Sequence, residues 1–182
     1  LFPNIERLVM DANSYNSHDF FPVTILFDLL DHWKQQLTTL AINTHVSKAA
    51  HVADLCERIN SMSNLKQLAI GMRIQVSLAT LEPTLARLER FAMDSYDLTE
   101  GTYSFRHLCT SCTHLSYYFN DRPPTPLNPF SANRLDPRLL TQLTHLRVSG
   151  DVKLDHFHRH TQHATALQVF DIVFYNQCII ST

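Results

Sequence analysis

The chain has 182 residues, 45% of them apolar, which suits one domain with a continuous core. Its formal charge of −2 with histidines neutral, and the lack of any basic run interleaved with aromatics, argue against a nucleic-acid partner. No apolar run approaches the ~18–20 residues that span a bilayer, since the longest, residues 25–30, is interrupted by Asp28, so no membrane partner is expected.

Charged residues are 18% of the chain, below the roughly 25% of typical soluble domains, which points to surface meant for burial against a partner or flanking repeats. The four cysteines, at 56, 109, 112 and 178, lack the dense even spacing of a secreted disulfide scaffold. A reducing, intracellular compartment, cytoplasm or nucleus, is expected. The chain opens Leu1-Phe2-Pro3 rather than on methionine, and its first strand signature starts within a few residues. The expectation is a fragment of a longer chain.

In chain order, the first element is Ile5-x-x-Leu8-x-Met10, whose closing alternation has the period of a strand with one face buried. Residues 20–34 carry Phe21, Ile25, Leu29 and Trp33 at i, i+4 steps and predict a helix laid on the sheet. The strand signature returns as Leu37-x-x-Leu40-x-Ile42. Residues 47–62 then open with Ser47, suited to an N-cap, and set Val52, Leu55, Cys56 and Ile59 on one helical face. After Leu65-x-x-Leu68-x-Ile70, residues 77–88 align Leu78, Leu81, Leu85 and Leu88, with Pro83 close enough to the start of a turn to be tolerated. Leu88-x-x-Phe91-x-Met93 follows, then Phe105, Leu108, Cys109 and Cys112 at helical spacing over residues 105–112, then Cys112-x-x-Leu115-x-Tyr117.

Residues 122–129 hold four prolines, which remove amide donors and disfavour helix before each. They predict an inserted surface loop rather than a P-x-x-P ligand. Asp136-Pro137 opens a short helix through Leu143, with aspartate as N-cap and proline at the first helical position. Leu143-x-x-Leu146-x-Val148 is the sixth strand signature, and Leu167-x-x-Phe170-x-Ile172 the seventh. Between them, residues 151–164 place Leu154 and Phe157 inward, with His156, His158, His160 and His163 around the rest.

The fourth-position residues of the seven signatures stand at 8, 40, 68, 91, 115, 146 and 170, so the gaps are 32, 28, 23, 24, 31 and 24 residues and average 27. A strand and crossover recurring at roughly 20–29 residues is the sequence signature of a leucine-rich repeat. The expected fold class is therefore α/β, a leucine-rich-repeat solenoid. It is a right-handed β-α superhelix with parallel strands on the concave face and helices on the convex face. A single domain of about seven irregular repeats is expected over residues 1–182, each burying its apolar face only against its neighbours. Asn13 lies three residues beyond Met10, where such repeats use asparagine to close the turn. The equivalent positions are His45, Arg73, Tyr96, Asn120, Asp151 and Tyr175, so most turns must close in other ways.

Two clusters carry chemistry-bearing residues. His107-Leu-Cys109-Thr-Ser-Cys112-Thr-His114 has a Cys-x-x-Cys with flanking histidines, but no second ligand pair is visible for a structural zinc site. Cys112 also takes the first apolar position of its repeat, so both cysteines are assigned to core packing. The histidines at 156–163 have no partner like the glutamate of a His-Glu-x-x-His motif, and they are assigned to a solvated helix face. Asp94, Asp97 and Glu100 read as a solvated acidic loop. No nucleophile elbow, phosphate loop or dinucleotide fingerprint occurs. No catalytic residue, cofactor or metal is expected.

In parallel repeats the residues beside the buried positions project together as ladders. The central one is Val9, Ala41, Ala69, Ala92, Ser116, Arg147 and Asp171, small through four repeats and then larger and polar. Before it run Arg7, Thr39, Gln67, Arg90, His114, His145 and Val169; after it, Asp11, Asn43, Gly71, Asp94, Tyr118, Ser149 and Val173. A shallow trough of this kind suits a protein segment better than a small molecule, and Arg and Tyr are common interface anchors. The candidate partner-binding residues are Arg7, Asp11, Asn43, Arg90, Asp94, His114, Tyr118, His145, Arg147 and Asp171.

Leu1-Phe-Pro-Asn-Ile-Glu-Arg-Leu8, Leu37-Thr-Thr-Leu40-Ala-Ile42 and Leu143-Thr-His-Leu146-Arg-Val148 resemble the leucine-rich-repeat portion of F-box proteins, a likeness that runs over essentially the whole chain. The resemblance implies repeats that recruit substrates, and an N-terminal F-box that docks the adaptor of a cullin-type ubiquitin ligase. The chain itself shows no F-box, which the resemblance would place upstream. The alternative is a repeat scaffold or inhibitor that binds a protein partner without ubiquitin chemistry.

Overall fold

The computed structural model describes residues 4–11, 22–44, 46, 48–71, 74, 76, 78–94, 111–119, 137–150 and 163–173. Seven strands form one all-parallel sheet whose spatial order is the order of the sequence. They are β1 (Arg7–Asp11), β2 (Thr39–Asn43), β3 (Gln67–Ile70), β4 (Arg90–Asp94), β5 (His114–Phe119), β6 (His145–Gly150) and β7 (Val169–Val173). Helices α1 (Val23–Trp33), α2 (Ala49–Ser61), α3 (Glu82–Leu85) and α4 (Pro137–Gln142) lie in the crossovers, as a parallel pairing of neighbours requires. The result is an α/β fold in which strands and helices alternate.

The register has no offset. Leu8, Leu40, Leu68, Phe91, Leu115, Leu146 and Phe170 stand in one row across the sheet. One backbone feature recurs at all six junctions. The carbonyl of the second residue in each apolar signature accepts the N–H groups of the second and third residues of the next. Glu6 thus accepts from Thr38 and Thr39, Thr38 from Lys66 and Gln67, and Lys66 from Glu89 and Arg90. Glu89 accepts from Thr113 and His114, Thr113 from Thr144 and His145, and Thr144 from Gln168 and Val169, all at 2.8–3.2 Å. The Thr38, Thr113 and Thr144 hydroxyls donate to the same carbonyls of the preceding unit.

Strand alternation turns positions one, four and six of each signature into the core. Leu37, Leu40, Ile42, Leu65, Leu68, Ile70, Leu88, Phe91 and Met93 are buried, as are Cys112, Leu115, Leu143, Leu146 and Val148. Burial weakens at the ends: Leu8 is half-buried, and Phe170 is 39% exposed although it stands in the inward row. A central residue is covered by neighbours on both sides, whereas β1 and β7 each pair with one strand among the described residues. A parallel bridge between Val46 and Ile74 continues the pairing beyond β2 and β3.

The helices depart from the periodicity in instructive ways. In α1 the buried stripe is Leu26, Phe27, Leu30 and Trp33; of the expected stripe Trp33 is buried, Leu29 half-buried and Ile25 44% exposed, and Phe21 lies outside the described residues. Val-Thr-Ile-Leu-Phe-Asp-Leu-Leu offers two apolar stripes one residue apart. The winning one runs 26, 30, 33 and continues into Leu37, the first core residue of the next strand unit. Helix α2 buries Leu55, Cys56 and Ile59 as the spacing predicts, but Lys48 stands at its N-cap with no side-chain cap bond; Ser47 lies outside the described residues.

The helix expected over residues 77–88 is broken. A 3-10 turn, Leu78–Leu81, leads into the single turn α3, with Pro83 in its first turn. Proline lacks the N–H that would bond back to residue 79, so one helix cannot run through it. Leu78, Leu81, Leu85 and Leu88 are nonetheless all buried. Arg87 ties this unit to the end of α2: it donates to the carbonyls of Pro83 at 2.7 Å, Met62 at 2.9 Å and Asn60 at 3.2 Å. On α4, Leu139 and Leu140 are buried, with Leu143 after it. The expected helices at 105–112 and 151–164 and the proline-rich loop 122–129 lie mostly or wholly outside the described residues. Of their described parts, 111–112 and 163–164 are not helical. Asn13 and Asn120 also lie outside.

Among the described residues, no helix is long and apolar enough to cross a membrane. Leu68 is 2% exposed at the centre of the sheet. Leu68→Ala is expected to lower unfolding free energy by ~2–5 kcal/mol through the cavity it leaves. Val9→Thr, at a position 54% exposed on the opposite face, should change it by no more than about 0.5 kcal/mol. Urea denaturation showing no larger loss for Leu68→Ala than for Val9→Thr would contradict this assignment of the inward and outward rows.

Candidate functional site

The sheet face opposite the helices carries the outward rows. Arg7, Thr39, Gln67, Arg90, His114, His145 and Val169 are register partners. Val9, Ala41, Ala69, Ala92, Ser116, Arg147 and Asp171 form the second row. The short side chains of Ala41, Ala69, Ala92 and Ser116 leave space above the backbone, and taller residues of the first row flank it. A trough of about 350 Å³ results, lined from Arg7 on β1 to Val169 and Asp171 on β7. A second hollow of about 260 Å³ adjoins it toward the strand ends, and Ala41, Ala69, Ala92, Ser116 and Arg147 line both.

Of the ten candidate residues, Arg7, Arg90, His114, His145, Arg147 and Asp171 line the larger hollow. Asn43 lines the smaller one, and its side-chain amide donates to the Asp11 carboxylate at 3.0 Å, so these two are bound to each other. Asp94 and Tyr118 are register partners on β4 and β5, and their side chains lie outside those described. Gly71 follows β3 where the Asn43 side chain lies over the next strand unit. A Cβ there would sit 2.9 Å from Asn43 Cα and closer still to its amide oxygen, so the glycine keeps the Asp11–Asn43 link in place.

Histidines 114 and 145 stand side by side on β5 and β6 in the trough. Their rings are stacked, 3.9 Å between centroids and 11° from parallel. Each Nδ1 lies 2.9 Å from the hydroxyl of the threonine before it, Thr113 or Thr144. Those hydroxyls donate to the backbone carbonyls of Glu89 and Thr113, so they accept from Nδ1–H, and Nε2 is left as the acceptor of the neutral ring. Strand alignment of two consecutive Thr-His dipeptides produces the stack. That repetition, Cys112-Thr-His and Leu143-Thr-His, is a signal the sequence offered and the ladder assignment did not use.

Of the two clusters rich in histidine and cysteine, only Cys112, His114 and His163 fall among the described residues. Cys112 is fully buried with its thiol directed to the His114 carbonyl at 3.3 Å, whereas Cys109 lies outside the described residues. His163 is exposed; His156, His158 and His160 lie outside. Among the described residues no three His, Cys, Asp or Glu side chains converge into a metal-holding group. Cys56 is buried in the core, and burial pushes its thiol up, against a smaller opposing effect of the Thr80 hydrogen bond.

Comparison with known proteins leaves the geometry to speak alone: no family model, no curated protein and no solved structure matches the chain.

Partial burial, then Arg90, then His145 hold the His114 imidazole below its ordinary value of 6.5. The unfolded chain, with His114 near the ordinary value, binds more protons in the window between the folded and unfolded values. Stability is therefore lost as pH falls through that window. His114→Gln should lose less stability than the parent between about pH 7 and about pH 5. Urea midpoints that fall equally in both proteins would contradict this placement of His114.

Proposed function

We propose that this chain is a leucine-rich-repeat solenoid and works as a non-enzymatic recognition module that docks a segment of a partner protein along the trough. The observation that carries the proposal is the trough itself, which runs over all seven strands and is built of side chains in straight rows. An extended or helical protein segment can lie across several strands and meet one row after another. A small ligand would instead need convergent polar groups in a deep pocket. The repeated backbone bracket at six junctions and the recurrent three-position core support the repeat assignment. Repeat arrays commonly present such a face to partners.

Substrate recognition in an F-box-type ubiquitin ligase is the biological role that the likeness of the repeat segments favours. In that role the trough holds the substrate while a separate F-box binds the cullin-ligase adaptor.

Immobilised protein should capture a partner saturably. Ala69→Trp, which fills the trough without touching the inward row, should weaken that capture by about tenfold or more. Glu57→Lys, on the exposed outer side of α2, should leave capture unchanged, and both variants should unfold at parental urea concentrations. Undiminished capture by Ala69→Trp would remove the trough as the docking site. Full-length protein that captures its partner without any cullin-ligase adaptor would reassign the module as a scaffold or inhibitor.

A further inference from the structure

The trough differs in charge from the chain that forms it. The whole chain carries −2 with histidines neutral. Among the described residues, the larger hollow is lined by Arg7, Arg90 and Arg147 against a single carboxylate, Asp171, a surplus of two positive charges before either histidine is counted. None of the three arginines forms an ion pair among the described residues, where the ion pairs are Arg58–Asp31 at 3.1 Å and Lys66–Glu89 at 2.9 Å. Overall composition gave no hint of this local imbalance.

The excess is concentrated on three adjacent strands. Arg90, His114 and His145 are register neighbours on β4, β5 and β6, and Arg147 follows His145 by two residues on the same face. With strands about 4.8 Å apart and about 3.3 Å per residue, the four side chains rise from a patch roughly 10 by 7 Å. Ala92 and Ser116 lie within it and keep its floor low. Guanidinium groups on two sides of a pair of flat imidazoles present planar donors, the shape that fits a carboxylate.

We infer that this notch of Arg90, His114, His145 and Arg147 binds the carboxylate side chains of an acidic segment in the partner protein, and that His114 takes up a proton as it does so. The inference rests on the docking role proposed above and adds the chemistry of what docks. Threonine bonding leaves Nε2 of each ring without a hydrogen-bond partner among the described residues. Protonation at Nε2 turns that acceptor into a charged donor aimed at an anion. In the protein alone, protonation of His114 is opposed by its partial burial, by Arg90 and by His145. Among the described residues, the charged and titratable groups facing His114 are Arg90 from β4 and His145 and Arg147 from β6, with Asp171 one strand further on. Glu89, next to Arg90 in sequence, is engaged by Lys66. A carboxylate placed among the cations offsets their mutual repulsion, so anion binding and proton uptake favour each other.

A fluorescent hepta-glutamate peptide, with hepta-glutamine and a phosphoserine-containing peptide as comparisons, tests this by anisotropy titration. Saturable binding of hepta-glutamate in preference to both is expected. The Arg90→Gln/Arg147→Gln protein should bind it about fivefold more weakly or worse, and added salt should weaken the parent. Affinity should rise from about pH 7.5 to about pH 6, where glutamates remain ionised. His114→Gln/His145→Gln should abolish that rise. Both double variants replace residues outside the core and should unfold at parental urea concentrations at about pH 7.5, above the range in which His114 makes stability depend on pH. Equal binding of hepta-glutamine, preference for the phosphopeptide, indifference to the arginine replacements, or no gain in affinity at lower pH would each overturn the proposal. If Ala69→Trp abolishes partner capture while the double arginine variant retains it, the acidic specificity fails and the docking role stands. If Ala69→Trp has no effect, the docking role itself has failed.

Discussion

Six backbone carbonyls, those of Glu6, Thr38, Lys66, Glu89, Thr113 and Thr144, each receive two consecutive N–H groups from the next unit of the chain. Their geometry fixes the offset between neighbouring strands at zero. A slip of one residue would carry every inward leucine to the open face and every outward arginine or histidine into the core. The bond itself is an ordinary one, worth about 1 kcal/mol net. Its effect is larger because it is repeated at each junction, and each copy also satisfies backbone donors at the point where the chain enters the sheet. The hydroxyls of Thr38, Thr113 and Thr144 add a third donor to the carbonyls of Glu6, Glu89 and Thr113.

The zero offset has different consequences on the two faces. On the covered face it stacks positions one, four and six into a continuous core, so the crossovers need only supply an apolar lid. That explains why α1 with 11 residues, α2 with 13 and a 3-10 turn followed by the four-residue α3 can all serve in one sheet. Arg58 holds the first two helices together from outside, bonding Asp31 at 3.1 Å and lying 4.3 Å above the Phe27 ring. On the open face the same offset makes rows of like positions. A small residue repeated at one position becomes a groove, and two Thr-His dipeptides become a stacked imidazole pair.

Strand positions, their direction and their exact partners were readable from the sequence because the period of two and the three core positions leave one consistent register. Even the members of each outward row follow from counting along Leu-x-x-Leu-x-Ile. The helices were less legible. Residues 23–33 hold apolar side chains on more than half of the helical circumference, and only the tertiary continuation through Trp33 to Leu37 selects the face. Pro83 was visible, but its position relative to the true helix start was not, because Leu78–Leu81 form a tighter turn that periodicity cannot separate from an α-helix.

At the site, the ten residues named from the ladder include six that line the trough, yet their interactions were hidden. Asp11 and Asn43 bind each other rather than standing as independent contacts, which leaves less of their polarity for a partner. The charge surplus depends on which acids face away: Asp31 and Glu89 are held by Arg58 and Lys66 away from the trough arginines. A net charge of −2 cannot reveal such a partition.

Amide hydrogen exchange followed residue by residue tests the repeated bracket most directly. The amides of Lys66, Gln67, Glu89, Arg90, Thr113, His114, Thr144 and His145 should be protected together and open with a common free energy near that of global unfolding. Rapid exchange at any central pair, for instance Thr113 and His114 exchanging like exposed amides while β3 and β4 stay protected, would contradict a single sheet locked in register by these carbonyls.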